Sequence, residues 1–221
     1  MIKFFITATD TDAGKTLIAS ALIKMLAQQY NVAAFKPISA GCELVGDQLI
    51  NEDAALLTAQ ANCQQSISSV NPIAFKEPIA PHIAAANNGV DIILEDVTKH
   101  FHAIESLMPD VLITEGAGGW RLPLGNNKFL SEFAKQTKQS VILVVNMKLG
   151  CLNHAVLSYE SIINDGLDCV GWVANCPETM NYQKENIDEL TKLLDAPLLG
   201  VIPFVNNIDE VVDKLDVTPL L

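Results

Sequence analysis

The 221-residue sequence has little positive charge, no long apolar segment and no paired pattern of cysteines. It has 14 Lys and Arg against 26 Asp and Glu, and the net charge of −12 argues against a nucleic-acid-binding protein. No apolar run reaches the roughly 18 residues needed to cross a bilayer, and no secretion signal opens the chain. Five scattered cysteines do not form a disulfide framework, so we expect free thiols in a cytoplasmic protein.

Hydrophobic residues make up 49% of the chain, and their short apolar runs alternate with helical patterns. Nearly continuous apolar runs are typical of strands covered on both faces. The alternation therefore predicts an α/β fold, a mostly parallel sheet with helices on both faces. The predicted strands are Lys3–Ala8, Val32–Lys36, Val111–Glu115, Val141–Asn146, Val170–Asn175 and Leu198–Ile202. The predicted helices are Lys15–Gln29, Glu52–Gln60, Leu94–Leu107, Leu130–Gln136, Cys151–Asn164 and Tyr182–Leu194.

No internal repeat and no linker-like composition divides the sequence, so we expect a single domain over residues 1–221. The section from Cys63 to Gly89 is the least regular and contains three prolines. A loop of this length in a compact domain is more often functional than idle.

A Gly-Lys-Thr tripeptide opens a predicted helix directly after the first predicted strand. The segment Thr11–Leu17 contains Gly14, Lys15 and Thr16. In such a loop, backbone N–H groups hold phosphates, the lysine reaches the outer phosphates and the threonine hydroxyl binds Mg²⁺. Thr9 replaces the first glycine of the general pattern, so the loop must follow a backbone path open to other residues. The segment predicts a P-loop NTPase-like site for a nucleoside triphosphate.

Polar residues also follow the other predicted strands, at the sheet edge where ligands bind in doubly wound folds. Lys36 ends the second strand, Glu115 ends the third and Asn175 ends the fifth. The third strand leads into the glycine-rich segment Gly116–Gly119. This segment is either an ordinary flexible turn or a close backbone approach to a ligand, and its place after Glu115 favours the second interpretation.

Two acidic residues are candidate magnesium ligands. Glu115 is expected to emerge at the ligand edge, where Mg²⁺ usually takes one or two carboxylates together with phosphate oxygens. Thr16 supplies the hydroxyl ligand. Asp53 begins a predicted helix, and residue type alone leaves it open whether it is a helix-capping charge or a metal ligand.

Lys36 also allows two interpretations. A lysine at the end of a buried strand can extend its ammonium group to the solvent. It would also face the phosphate loop, where a second cation would stabilise charge on a transferring phosphoryl group.

Taken together, these segments resemble the dethiobiotin synthetase family along nearly the whole chain. The segments that carry the resemblance are Thr9–Thr16, Lys36-Pro37, Asn51–Ala54, Asn71-Pro72, Pro81–Ile83, Glu115–Trp120, Val141–Val145, Lys148–His154, Gly171–Asn175, Ala196–Gly200 and Ile202-Pro203. Family members usually have glycine where Ala8 stands.

The resemblance implies an ATP-dependent ligase of biotin biosynthesis. Its substrates would be ATP, CO₂ and 7,8-diaminopelargonic acid, with Mg²⁺ as cofactor. CO₂ would form a carbamate on one amine, the carbamate would attack the γ-phosphorus, and the second amine would close the ring. The products would be dethiobiotin, ADP and phosphate. The resemblance also implies a homodimer with the substrate at its interface, and no nucleic acid or membrane partner.

The resemblance assigns roles to individual positions. Lys36 and Lys15 would be catalytic, and Thr16, Asp53 and Glu115 would bind the metal. The nucleotide would contact Asp12, Ala13, Gly14, Lys15, Thr16, Leu17, Asp53, Glu115, Gly116, Ala117, Gly118, Asn175, Pro203, Phe204 and Val205. The diamine substrate would contact Thr11, Ser39, Gly150, Cys151 and Asn153, of which the last three would bind its carboxylate across the dimer interface.

Two positions depart from the family pattern. Ala40 stands where the family has a serine, so either Ser39 or backbone N–H groups take that role. Asn186 stands where the family has a tyrosine, and Tyr182 lies one helical turn earlier.

Two other functions compete with a synthetase. A partitioning-type switch ATPase would carry a lysine where Asp10 stands, together with attachment elements for DNA or membrane. A nucleotide-binding scaffold without chemistry would not need Lys36, Glu115 and a carboxylate site together.

Overall fold

The computed structural model describes residues 1–221 and contains twelve strands and nine α-helices. The strands are β1 (Ile2–Ala8), β2 (Val32–Phe35), β3 (Ile38–Ser39), β4 (Glu43–Val45), β5 (Gln48–Ile50), β6 (Ile73–Ala74), β7 (Val111–Glu115), β8 (Pro123–Gly125), β9 (Lys128–Phe129), β10 (Ser140–Asn146), β11 (Cys169–Cys176) and β12 (Leu198–Pro203). The helices are α1 (Lys15–Leu26), α2 (Glu52–Gln60), α3 (Ile67–Val70), α4 (Pro81–Asn87), α5 (Leu94–Glu105), α6 (Leu130–Gln136), α7 (Cys151–Asn164), α8 (Gln183–Leu193) and α9 (Asp209–Val212).

Six of the strands form one parallel sheet in the order β12-β11-β10-β1-β7-β2. Side chains alternate between its two faces, so Phe4 and Phe5 belong to different hydrophobic clusters. Both clusters are large, with 32 and 25 buried residues. The predicted α/β fold, a parallel sheet covered on both faces, is therefore confirmed.

The register of the central strands determines which side chains meet at the carboxyl edge of the sheet. Phe35 of β2 pairs with Thr114 of β7, so the next residues, Lys36 and Glu115, lie side by side. Glu115 itself is opposite Ile6 of β1, two residues before that strand ends. The edge of the sheet thus brings Lys36 and Glu115 to the start of the phosphate loop.

The short elements differ from the sequence predictions. The hairpin of β4 and β5 and the hairpin of β8 and β9 were not predicted, because strands of two or three residues have no measurable periodicity. The section from Cys63 to Gly89, expected to be an irregular loop, contains α3, β6 and α4. Pro81 occupies the first turn of α4, where its missing N–H has no intrahelical partner to lose.

No helix in the structure is both long enough and apolar enough to pass through a lipid bilayer.

Candidate functional site

The phosphate loop turns at Gly14, whose φ of 89° lies in the left-handed region that favours glycine. A side chain at this position would overlap the amide group of Asn175. That amide nitrogen donates a hydrogen bond to the carbonyl oxygen of Ala13 at 2.9 Å. Gly14 therefore meets two requirements, the backbone conformation and the close approach of Asn175.

Lys15 follows at the start of α1, and only 7% of its surface is exposed. Its ammonium group donates a hydrogen bond to the carbonyl oxygen of Asp10 at 3.2 Å. Burial lowers the pKa of Lys15, and the positive charge of Lys36 lowers it further, against the opposing effect of Glu115. An anion bound in the loop would relieve this cost, because it would stabilise the charged lysine.

Lys36 is the centre of a buried cluster of charges. Its ammonium group lies 2.6 Å from Oε1 of Glu115 and 2.9 Å from Oδ2 of Asp53. The hydroxyl group of Thr16 donates to the same Oε1 of Glu115 at 2.9 Å. Asp53 lies in the first turn of α2, whose Ncap is Asn51, so the cluster joins β2, β7, α1 and α2.

Burial is the largest single influence on the pKa values of Lys36 and Asp53, but the neighbouring opposite charges together outweigh it. Burial alone would lower the pKa of Lys36, but the carboxylates of Glu115 and Asp53 outweigh it and the pKa is raised. Burial alone would raise the pKa of Asp53, but the charge and hydrogen bond of Lys36 hold it below its usual value. At neutral pH Lys36 is therefore an ammonium group and Asp53 a carboxylate.

The donor set of the cluster fits a divalent cation that prefers oxygen ligands. Oε2 of Glu115 is buried and has no hydrogen-bond partner. Together with Thr16 and Asp53 it supplies one hydroxyl and two carboxylates, the ligands Mg²⁺ takes beside phosphate oxygens. A buried acceptor without a partner is costly, and a bound cation would satisfy it.

A cleft of about 1250 Å³ opens over the loop and the cluster. This exceeds the volume of roughly 300–1,000 Å³ typical of a site for one small molecule. Predicted site residues that line it are Thr11, Asp12, Gly14, Lys15, Thr16, Leu17, Lys36, Ser39, Asp53, Glu115, Gly116, Ala117, Gly118 and Val205.

Ser39 lines the cleft, but its hydroxyl group already has partners. It donates to Oδ1 of Asn71 at 2.7 Å and lies 3.1 Å from the sulfur of Cys42. Asn71 in turn donates to the carbonyl oxygen of Lys36 at 2.7 Å. Ser39 is thus connected to the backbone of Lys36, while Ala40 also borders the cleft.

The structure does not bring every predicted site residue to this cleft. Ala13 is a fully buried residue of the loop, and the side chain of Asn175 donates a hydrogen bond to its carbonyl oxygen. Pro203 and Phe204 are exposed beside it, with their neighbour Val205 on its wall.

The remaining predicted contacts, Gly150, Cys151 and Asn153, lie at the start of α7 and do not border the cleft. Cys151 is buried, whereas Gly150 and Asn153 are exposed. The preceding residue, Leu149, is 96% exposed. This end of α7 therefore presents an apolar side chain to the outside of the chain.

Several residues of the cleft were missed in the sequence. Asn206 and Asn207 border it next to Val205, and Leu56, Ile79 and Leu122 add apolar surface. No pattern in the sequence pointed to the asparagines, because they follow β12 in an irregular segment. Ala8, which departs from the family pattern, is buried at the end of β1 opposite Val144.

Comparison with known proteins gives whole-chain relatives. The model of the AAA domain family matches residues 3–212. An ATP-dependent dethiobiotin synthetase BioD of Aeromonas salmonicida is 48% identical over 226 residues, with 100% of each chain covered. A protein of the same name from Pseudoalteromonas translucida is 44% identical, with 92% of this chain and 91% of its own covered.

Solved structures with the same fold are more distant in sequence. A ParA family ATPase from Chlorobium tepidum superimposes with a TM-score of 0.58 at 18% identity, covering 91% of this chain and 84% of its own. The MinD cell division protein of Aquifex aeolicus gives 0.58 at 15% identity, covering 96% and 86%. At these identities the likeness shows the P-loop NTPase-like fold alone.

Proposed function

The chain belongs to the family of ATP-dependent dethiobiotin synthetases, and we propose that it performs its chemistry in the cleft between the phosphate loop and Lys36. The enzyme is an ATP-dependent ligase that closes the ring of diaminopelargonic acid. The observation that supports the proposed site is the contact of Lys36 with Glu115 and Asp53 beside Lys15 and Thr16. The proposal also includes the reaction steps, the roles of the residues, Mg²⁺ as the cation and a homodimer.

The first requirement of the reaction is to bring two anions together. CO₂ adds to one amine of the diamine, which loses a proton and becomes a carbamate. A carbamate oxygen then attacks the γ-phosphorus of ATP, and ADP leaves. Lys15 and Lys36 stabilise the negative charges that meet at this point, and the cleft orients them.

The second requirement is ring closure. The remaining amine attacks the carbonyl carbon of the carbamic–phosphoric anhydride, loses a proton, and phosphate leaves with the C–O bonding electrons. Lys36 borders the cleft together with Lys15, so its ammonium group would also stabilise the departing phosphate. The products are dethiobiotin, ADP and phosphate.

Thr16, Asp53 and Glu115 would hold Mg²⁺, which, when bound, neutralises charge on the β- and γ-phosphates. Lys36 compensates the same two carboxylates. The turn of Gly116, Ala117 and Gly118 would approach the nucleotide with its backbone. Asn175, Pro203, Phe204 and Val205 remain the predicted contacts of the base.

The carboxylate of the substrate would bind at the start of α7 of a second copy. Gly150, Cys151 and Asn153 are outside the cleft of their own chain, and a helix N-terminus favours a carboxylate. The exposed side chain of Leu149 would be covered in such a homodimer. The proposal also places the reaction in the cytoplasm, where the five free cysteines would remain reduced.

The test is ATP turnover by the purified protein with bicarbonate, in the presence and absence of 7,8-diaminopelargonic acid. We expect release of phosphate that depends strictly on the diamine and matches the dethiobiotin formed. Equal turnover without the diamine, or stimulation by DNA or vesicles instead, would contradict the proposal and favour a switch ATPase.

A further inference from the structure

A buried tryptophan connects the turn after β7 with the far end of α7. Trp120 follows Gly119 directly, and only 4% of its surface is exposed. Its indole N–H donates to Oδ2 of Asp165 at 2.9 Å. Asp165 is the Ccap of α7, 45 residues later in the chain. The contact therefore depends on the tertiary structure and not on neighbourhood in the sequence.

Asp165 is an unusual residue for this position, since a carboxylate at a helix C-terminus opposes the helix dipole. Two cations compensate it: Arg121 lies 2.9 Å from Oδ2, and Lys135 lies 3.2 Å from Oδ1. The carboxylate is only 9% exposed. Burial alone would raise the pKa of Asp165, but the hydrogen bonds of Trp120, Lys135 and Arg121 lower it. The group is thus held as an anion with three donors.

The same tryptophan packs against a ring that contacts the turn at the edge of the cleft. Its ring packs edge-on against Phe5 at 5.7 Å between centroids. The ring of Phe5 leaves no room for a side chain at Gly116, because a Cβ there would lie 2.9 Å from it. The backbone N–H of Gly116 donates to the carbonyl oxygen of Ile6 at 2.9 Å. The position of the Gly116–Gly118 turn therefore depends on the packing of Phe5 against Trp120.

We propose that Asp165 is a positioning residue that fixes the Gly116–Gly118 turn for the nucleotide through Trp120 and Phe5. Asp165 does not border the cleft, whereas Gly116, Ala117, Gly118 and Leu122 do. Its carboxylate acts by orienting the indole ring and, through Arg121, the segment that follows it. This inference rests on the proposed function, because it takes the turn to be part of the nucleotide site.

The test compares Asp165→Leu, Asp165→Asn and Trp120→Phe with the wild type. Loss of one or more hydrogen bonds behind the turn should raise KM for ATP and Kd for ADP about tenfold in Asp165→Leu, with kcat within about twofold. Asp165→Asn retains one acceptor and should recover most of the affinity. Trp120→Phe keeps the ring packing and loses the N–H, so it should weaken binding about as much as Asp165→Leu. Asp168→Asn removes a charge from an exposed neighbour and should change nothing.

Fluorescence separates positioning from a general loss of stability. The chain has two tryptophans, so Trp172→Phe leaves Trp120 as the single reporter. ADP should change its emission in that variant, and adding Asp165→Leu should abolish the change at saturating ADP. A lower melting temperature with unchanged KM and unchanged fluorescence response would overturn the inference. Diamine-dependent turnover in the wild type would then still support the proposed function, whereas its absence would contradict that function itself.

Discussion

Lys36 and Leu149 lie at the same carboxyl edge of the sheet, in opposite surroundings. Lys36 is buried between two carboxylates, with a hydroxyl group and a second lysine close by. Leu149 is nearly fully exposed, before a helix whose first residues do not border the cleft. The phosphate end of the site is therefore assembled within one chain, whereas the start of α7 lies outside the cleft of that chain. This difference agrees with the homodimer that the family resemblance implies, in which a second copy would complete the site.

The largest expected effect is that of Lys36→Gln. Removing the cation from the transferring phosphoryl group should lower kcat at least ~10³-fold. It also leaves Glu115 buried without its partner, a change that costs roughly 3–5 kcal/mol in comparable pairs. Addition of Mg²⁺ without nucleotide should recover part of the thermal stability, measured by calorimetry.

The control for Lys36→Gln is Lys24→Gln, which removes a partly exposed lysine of α1 paired with Asp209. It should retain activity and melt close to the wild type. Retained ring closure in Lys36→Gln would remove Lys36 from the mechanism.

The next largest effect should follow Leu149→Asp. A carboxylate at this exposed position would be buried without a partner in the proposed dimer, so the protein should become monomeric and inactive. Sedimentation measures the first effect and diamine-dependent turnover the second, while binding of ADP should stay within about threefold of the wild type. Met108→Asp is the matched control, because Met108 is 82% exposed at the opposite edge of the sheet. An active monomer of Leu149→Asp would contradict the proposal that a second copy completes the site.

A smaller effect is expected at Gly14, where the positive φ and the close approach of Asn175 can be tested separately. Gly14→Ala and Gly166→Ala both place a Cβ at positive φ, at 89° and 78°. Only the first would also displace Asn175, since Gly166 has open space around it. We expect a cost of about 1–2 kcal/mol for Gly166→Ala and a larger one for Gly14→Ala, with weaker nucleotide binding in the second alone. Equal losses in urea denaturation would show that backbone conformation is the only requirement.

The smallest effect is the pH dependence of stability. Lys36 has a raised pKa, so its contribution is complete below 10.5, the ordinary value, and is lost as the pH rises through the folded-state pKa. Asp53 has a lowered pKa, so its contribution is present above 3.8 and is lost as the pH falls through the folded-state value. The difference in urea midpoint between the wild type and Lys36→Gln should therefore be flat near neutrality and shrink at both extremes. A difference that changes between pH 6 and 8 would contradict the raised pKa of Lys36 and the lowered pKa of Asp53.

Much of the sheet could be predicted from the sequence, because long apolar runs and strand ends are local signals. Two predicted helices also have the bounds of the observed ones, Glu52–Gln60 for α2 and Cys151–Asn164 for α7. The contact of Lys36 with Glu115 could not be predicted from spacing, since it follows from the pairing of β2 with β7. The contact of Asp165 with Trp120 could not be predicted either, because it forms only when α7 packs against the sheet.

Some residues of the site can be predicted from a local motif, whereas others are brought to the cleft only by the tertiary structure. Gly14, Lys15 and Thr16 are recognisable from their order, and the cleft contains all three. Asn206 and Asn207 lie on a loop without a pattern, so only the structure brings them to the cleft. The hydrogen bond of Asn175 to Ala13 likewise depends on how β11 approaches the phosphate loop.

The most direct test of a site completed by two copies is complementation between two inactive variants. Lys36→Gln damages the cleft, and Asn153→Asp repels the substrate carboxylate at the start of α7. After equal amounts of the two variants are unfolded and refolded together, half of the dimers should contain one copy of each. Each mixed dimer should have two sites, of which one is intact. Turnover should then recover to about a quarter of the wild-type value. A mixture as inactive as its two components would contradict the account, because both regions would then serve a single chain.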